Sequence, residues 1–182
     1  MTIIAAYEGF HHYWIGSDSL GVSCGLGADF GTKLIKKGNY IIAFSSSYRV
    51  GDVARESKNL PKEINSIIDV RKFRDALSKD LIEEAGARTE AHNGNGLKEA
   101  PVGIIIVSPT GMYAIEGDFQ VHKIKTGYYA NGSGWAIAYG ALYIAKQNKA
   151  SGEEAISGAI KAAIAHSTTC GGRCHVKSIE KG

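Results

Sequence analysis

Thr2 is the residue whose position carries the most chemistry. Its side chain is small, and a small second residue permits removal of Met1, which would leave threonine at the head of the mature chain. An N-terminal threonine joins a hydroxyl and a free α-amine on one residue. The hydroxyl is a weak nucleophile, and the amine beside it can serve as the base that activates it. An α-amine has an ordinary pKa of about 7.7–8.0, so it is available as a base close to neutrality without extreme tuning. The plain alternative is that Thr2 only starts a strand, since Ile3-Ile4-Ala5-Ala6-Tyr7 follows directly.

The elements that would position Thr2 follow from apolar spacing. Residues 2–7 and 12–17 flank Glu8-Gly9-Phe10-His11 and predict a β-hairpin with a glycine-containing turn. Gly21, Gly25, Gly27 and Gly31 predict a winding loop. A second strand pair is expected at 32–35 and 40–44, turned by Lys37-Gly38-Asn39. Ser45-Ser46-Ser47 opens a helix whose stripe is Val50, Val53 and Ala54, with Leu60 before Pro61. A longer helix starts near Asp69, where Val70, Phe73, Leu77, Leu81 and Ile82 recur at spacings of three and four. Residues 87–100 are polar, rich in Gly and Asn, and predict an exposed loop.

Strands return at 102–108, an apolar run expected to be buried, then at 112–116, 119–124 and 128–131. Gly132-Ser133-Gly134 opens a helix bearing Trp135, Ala138, Tyr139, Leu142 and Ala145. Ser151-Gly152-Glu153-Glu154 forms a capping box for the next helix. Residues 175–179 form a last strand. Segregated runs of strands and helices predict an α+β domain. Two antiparallel sheets packed face to face, with a helix pair outside each, would bury every apolar stripe in a four-layer αββα sandwich. The length of 182 residues fits a single domain, 1–182.

Composition excludes several functions. The chain has 21 basic and 18 acidic residues, a net charge of +3, too small an excess for a protein whose main partner is nucleic acid. Its apolar runs fall well short of the roughly 18 residues that span a bilayer, and the first residues lack the basic region of a secretory signal. With 44% apolar residues, a sizeable core is available. Cys24, Cys170 and Cys174 are expected to be reduced thiols in a cytoplasmic protein. Cys170, Cys174 and His175 lack a second ligand pair at zinc spacing. No metal or cofactor is expected.

With a threonine at its start, this order of elements resembles the proteasome β-subunit family of N-terminal nucleophile hydrolases, including HslV-type bacterial peptidases. The resemblance rests on Thr2-Ile3-Ile4-Ala5-Ala6, Gly16-Ser17-Asp18-Ser19, Thr32-Lys33-Leu34, Ser45-Ser46-Ser47, Gly132-Ser133-Gly134 with Ala138-Tyr139-Gly140-Ala141-Leu142, and Ser151 to Ala155. It implies a threonine peptidase acting on peptides or unfolded proteins. Homo-oligomeric stacked rings enclosing the active sites are implied too, with an ATP-dependent unfoldase partner. The chain has no G-x-x-x-x-G-K-[ST] of its own. Chamber-free amidase activity on small amides, and a non-catalytic structural ring subunit, are the alternatives.

The resemblance also implies residue roles. Thr2 is the nucleophile, and Lys33 is a fixed cation that keeps the Thr2 amine unprotonated. Asp18 is the counter-charge of Lys33, Ser133 a hydrogen-bond partner of the amine and of a water, and the Ser47 N–H an oxyanion donor. Plainer readings accompany three of them: a solvated lysine, a turn aspartate capping its own backbone, and a serine N-cap. Arg49 is either near the base of a specificity pocket or an outward helix arginine. His11 and His12 read as an exposed pair at a turn.

Two departures from the family pattern bear on these roles. Ser47 stands where glycine is common, so the oxyanion donor is assigned to within one position. In Ser167-Thr168-Thr169-Cys170-Gly171-Gly172, Ser167 replaces an Asp and Cys170 replaces a Ser.

Overall fold

Ile3–Glu8 (β1) and His12–Ser17 (β2) form the expected antiparallel hairpin, closed by the Gly9 N–H on the His12 carbonyl at 2.9 Å. This computed structural model describes residues 2–23, 26–83, 90–91, 98–99 and 102–182. The glycine-rich stretch expected to wind as a loop instead pairs Leu20–Ser23 (β3) with Leu26–Asp29 (β4). All four β4 residues are exposed and Gly21 is buried in β3, so no apolar alternation marks the pair in the sequence.

Leu34–Lys37 (β5) starts two residues later than expected and pairs with Tyr40–Ser46 (β6). Tyr48–Glu56 (α1) ends before Leu60, and Ile67–Glu83 (α2) carries Val70, Phe73, Leu77 and Leu81 of the predicted stripe inward while Ile82 is exposed. Within the expected loop at 87–100, Glu90–Ala91 (β7) pairs with Lys98–Glu99 (β8), and the rest of that stretch lies outside the described residues.

Val102–Ser108 (β9) and Gly111–Ile115 (β10) pair antiparallel, followed by Val121–Lys123 (β11). β11 is shorter than expected because Phe119 turns: its φ is +62° and its N–H goes to the Glu116 carbonyl. Tyr128–Gly132 (β12), Trp135–Gln147 (α3), Gly152–His166 (α4) and His175–Glu180 (β13) complete the chain. The capping box of α4 forms in full, Ser151 accepting from the Glu154 N–H and Glu154 reaching back to the Ser151 N–H.

One sheet runs β12-β1-β2-β13 and the other β11-β10-β9-β6-β5. Strand alternation between two buried faces explains why β1 and β9 read as nearly unbroken apolar runs. Ile104 and Ile106 pack toward α1 and α2, whereas Ile105 and Val107 face the other sheet. Ile3, Ala5 and Tyr7 pack with Ala138, Leu142, Ile156 and Ile160 of α3 and α4, and Ile4 and Ala6 join the inter-sheet core. Three stacked cores thus make the four-layer α+β sandwich. No helix among the described residues is long and apolar enough to cross a membrane.

Candidate active site

The start of β1 is gripped from both sides. Ile3 N–H donates to Asp18 Oδ1 at 3.2 Å, and Thr2 N–H donates to Ser133 Oγ at 3.2 Å. That Thr2 nitrogen is the atom that becomes the α-amine once Met1 is removed. Gly132 pairs with Ile3 at φ +103°, and a Cβ there would stand 2.3 Å from the Thr2 carbonyl oxygen. Only glycine lets β12 pass so close to Thr2.

Lys33 immediately precedes β5 and is 1% exposed, which rules out the solvated lysine. Its ammonium donates to Asp18 Oδ1 at 2.5 Å and to the Leu20 carbonyl at 2.8 Å. Burial pushes the Lys33 pKa below the ordinary lysine value, against the opposing pull of the Asp18 carboxylate. Asp18 is fully buried and does not cap its own turn. Its other oxygen, Oδ2, accepts the Gly171 N–H at 3.1 Å. One carboxylate thereby ties together β1, Lys33 and the turn after α4, and a buried charge so satisfied is sustainable.

Thr2, Lys33, Phe44, Ser45, Ser46, Ser47 and Tyr48 line one shallow hollow. Ser47 is the N-cap of α1, its Oγ accepting from the Arg49 N–H, while its own N–H donates to the Ser45 carbonyl at 3.2 Å. Arg49 is exposed and does not line this hollow.

Ser133 is not a helix cap. Gly134 occupies the N-cap position of α3, with no side-chain bond. Ser133 Oγ is instead within reach of both the Thr2 N–H and the Thr2 carbonyl, the latter at 3.3 Å. Thr169, which the sequence did not single out, donates to Ser133 Oγ at 2.8 Å and contacts Ser167 Oγ at 2.8 Å. The Cys170 thiol is farther from Ser133 Oγ, at 3.8 Å. Residues 167 and 170 are where the sequence departs from the family pattern, but the backbone turn brings Thr169 to the site.

Thr2, Asp18, Lys33, Ser133 and Ser47, the five residues expected from sequence, therefore gather at one end of the two sheets. The cluster can supply a hydroxyl, a prospective terminal amine, a buried ammonium–carboxylate pair and a hydroxyl relay.

No protein-family model matches the sequence, and no curated protein matches it by sequence. Solved structures do match. BPH of Thiobacillus denitrificans, a bacterial proteasome homologue, superposes with a TM-score of 0.88 at 20% identity, over 99% of this chain and 98% of that one. The same protein in complex with epoxomicin gives 0.87 at 19%, over 99% of each chain. Eukaryotic HslV from Trypanosoma brucei gives 0.72 at 18%, over 98% and 99%. The chain has the fold of these proteins, the proteasome-β and HslV-like N-terminal nucleophile hydrolase fold.

Proposed function

We propose that the chain, acting as one domain over residues 1–182, is a threonine peptidase subunit of a ring-forming, self-compartmentalising protease in the cytoplasm. The observation that carries this reading is the convergence of the Thr2 backbone nitrogen, Ser133 and the Lys33–Asp18 pair at the head of β1. These groups come from four separate segments and have no need to meet for the sake of the core.

Removal of Met1 makes the Thr2 nitrogen an amine. Lys33 lines the same hollow, and a fixed cation there disfavours a second ammonium, so the amine remains a base. The amine takes the proton of Thr2 Oγ, directly or through a water held by Ser133, as Oγ attacks the substrate carbonyl carbon. The C–N bond then breaks, the departing amine takes that proton, and an ester to Thr2 remains. A water deprotonated by the same amine attacks the ester and restores the hydroxyl. A backbone N–H at Ser47 stabilises the negative oxygen of each tetrahedral intermediate.

Peptides or unfolded polypeptides are the substrates, and an ATP-dependent unfoldase is the partner that delivers them. The solved BPH complex with epoxomicin is consistent with a ligand-accepting site on this fold. Trp135, Tyr143 and Ile144 are exposed apolar side chains on α3 available for ring contacts.

The test is a mass measurement followed by labelling. The purified chain is expected to lack Met1, to form a covalent adduct on Thr2 with a threonine-directed electrophile, and to lose that adduct in Thr2→Ala. Retention of Met1, or labelling elsewhere, overturns the proposal.

A further inference from the structure

Ser46 has φ +77°, one of three non-glycine residues with positive φ among those described. It is also the centre of a three-residue turn, because the Ser47 N–H donates to the Ser45 carbonyl. An i to i+2 bond about a residue at this φ matches the rarer of the two γ-turns, a strained geometry for any residue with a Cβ. The strain sits in the wall of the hollow that Thr2 and Lys33 also line.

Ser46 closes β6 opposite Val102 of β9, at the last rung of that ladder. Ser45 is anchored by its Oγ, which donates to Asn131 Oδ1 at 2.8 Å beside the Gly103 carbonyl. Ser47 is anchored as the cap of α1, with its Oγ on the Arg49 N–H and its carbonyl on the Val50 N–H. Every polar group of Ser47 is therefore engaged, including the N–H needed by a developing oxyanion. Ser46 itself is exposed at the end of β6, so opening the turn there breaks the terminal β6–β9 rung with Val102 and leaves the rest of the ladder paired.

From this geometry, and resting on the function proposed above, we propose that Ser46 is a positioning residue that holds the oxyanion donor in a latent, inward-facing state. Hydrolysis requires the turn at Ser46 to open and release the Ser47 N–H toward the Thr2 hydroxyl. The strain of a left-handed serine keeps the latent state shallow. Glycine would relieve that strain and deepen it, whereas a β-branched residue would oppose the turn.

The experiment compares two reactions of the same nucleophile in Ser46→Gly, Ser46→Ala and Ser46→Val. Hydrolysis of a fluorogenic peptide amide passes through a carbonyl oxyanion. A peptide vinyl sulfone does not: Thr2 Oγ bonds to the alkene carbon β to the sulfone, which carries the peptide, and the proton it loses ends on the carbon beside the sulfone.

The expected result is that Ser46→Gly lowers kcat for the amide about fivefold and Ser46→Val raises it about fivefold, with Ser46→Ala near the starting value. KM and the vinyl sulfone rate stay constant throughout. If Ser46→Val unfolds, which thermal melting detects, the Gly and Ala arms decide alone. A gain in Ser46→Gly, or equal kcat in Gly and Ala, overturns the latent turn while leaving Thr2 as nucleophile. If the vinyl sulfone fails to label Thr2 at all, the proposed function falls and this inference falls with it.

Discussion

Asp18 and Lys33 form an ion pair at 2.5 Å from which solvent is almost wholly excluded, the lysine 1% exposed and the aspartate fully buried. Two backbone N–H groups, from Ile3 and Gly171, complete the carboxylate's partners. Removing one member of such a pair leaves the other buried and uncompensated. Lys33→Met is expected to lower stability by about 3–5 kcal/mol, measured by urea denaturation, and to abolish peptide hydrolysis. Stability within about 1 kcal/mol of the parent would show that the pair is weakly coupled to the fold.

The hydroxyl relay from Thr169 through Ser133 to the Thr2 nitrogen predicts a graded series. Ser133→Ala should reduce kcat/KM by about 10²-fold, in the range of a lost proton-transfer partner. Thr169→Val, which removes only the outer hydroxyl, should reduce it by about tenfold with an unchanged melting temperature. Cys170→Ala should change hydrolysis less than Thr169→Val does, because the thiol lies farther from Ser133 Oγ than Thr169 Oγ1 does. The opposite order would mean that the thiol, not the threonine, completes the relay.

Away from the site, Asp80 is a buried carboxylate on α2 that receives Ser57 Oγ at 2.5 Å and Asn59 Nδ2 at 2.8 Å. It pins the connection leaving α1, and so the helix whose first turn walls the Thr2 hollow. Asp80→Ala should destabilise the protein by about 3 kcal/mol, since two hydrogen bonds to a charged acceptor are lost and their donors left without it. Chemical denaturation checks this, and the loss should exceed that of Ser57→Ala.

The capping box of α4 predicts a pH-dependent term. Hydrogen bonds from the Ser151 hydroxyl and N–H hold the Glu154 carboxyl below the usual glutamate range. A carboxyl depressed in the folded state adds stability above its unfolded pKa, and that stability is lost as pH falls through the folded value. Ser151→Ala should therefore lower stability at neutral pH. The difference from the parent should narrow as pH drops below the ordinary glutamate pKa, read from denaturation curves between neutral pH and strong acid. A gap that widens in acid would contradict the assigned direction.

Sequence alone determined whatever rests on local spacing. The helical stripes of Val70, Phe73, Leu77 and Leu81 and of Ala155, Ile156, Ala159 and Ile160 lie buried as read, and so does the unbroken apolar run of β9, because period and burial are properties of neighbouring side chains. The capping box was legible for the same reason. The β3–β4 pair was not, since glycines in both strands and an exposed β4 leave no apolar alternation to read.

The site was legible as a set of residues but not as a geometry. Nothing along the chain distinguishes a buried Lys33 from a solvated one, or a Ser133 on the Thr2 nitrogen from a helix cap. Those choices are made where β1, β2, β12 and the turn after α4 come within hydrogen-bonding distance, across separations of 15 to 153 residues. Only that packing strips water from Lys33, brings Thr169 in place of Cys170 to Ser133, and turns the Ser47 N–H toward Ser45, because each depends on which backbone groups the folded chain leaves nearby.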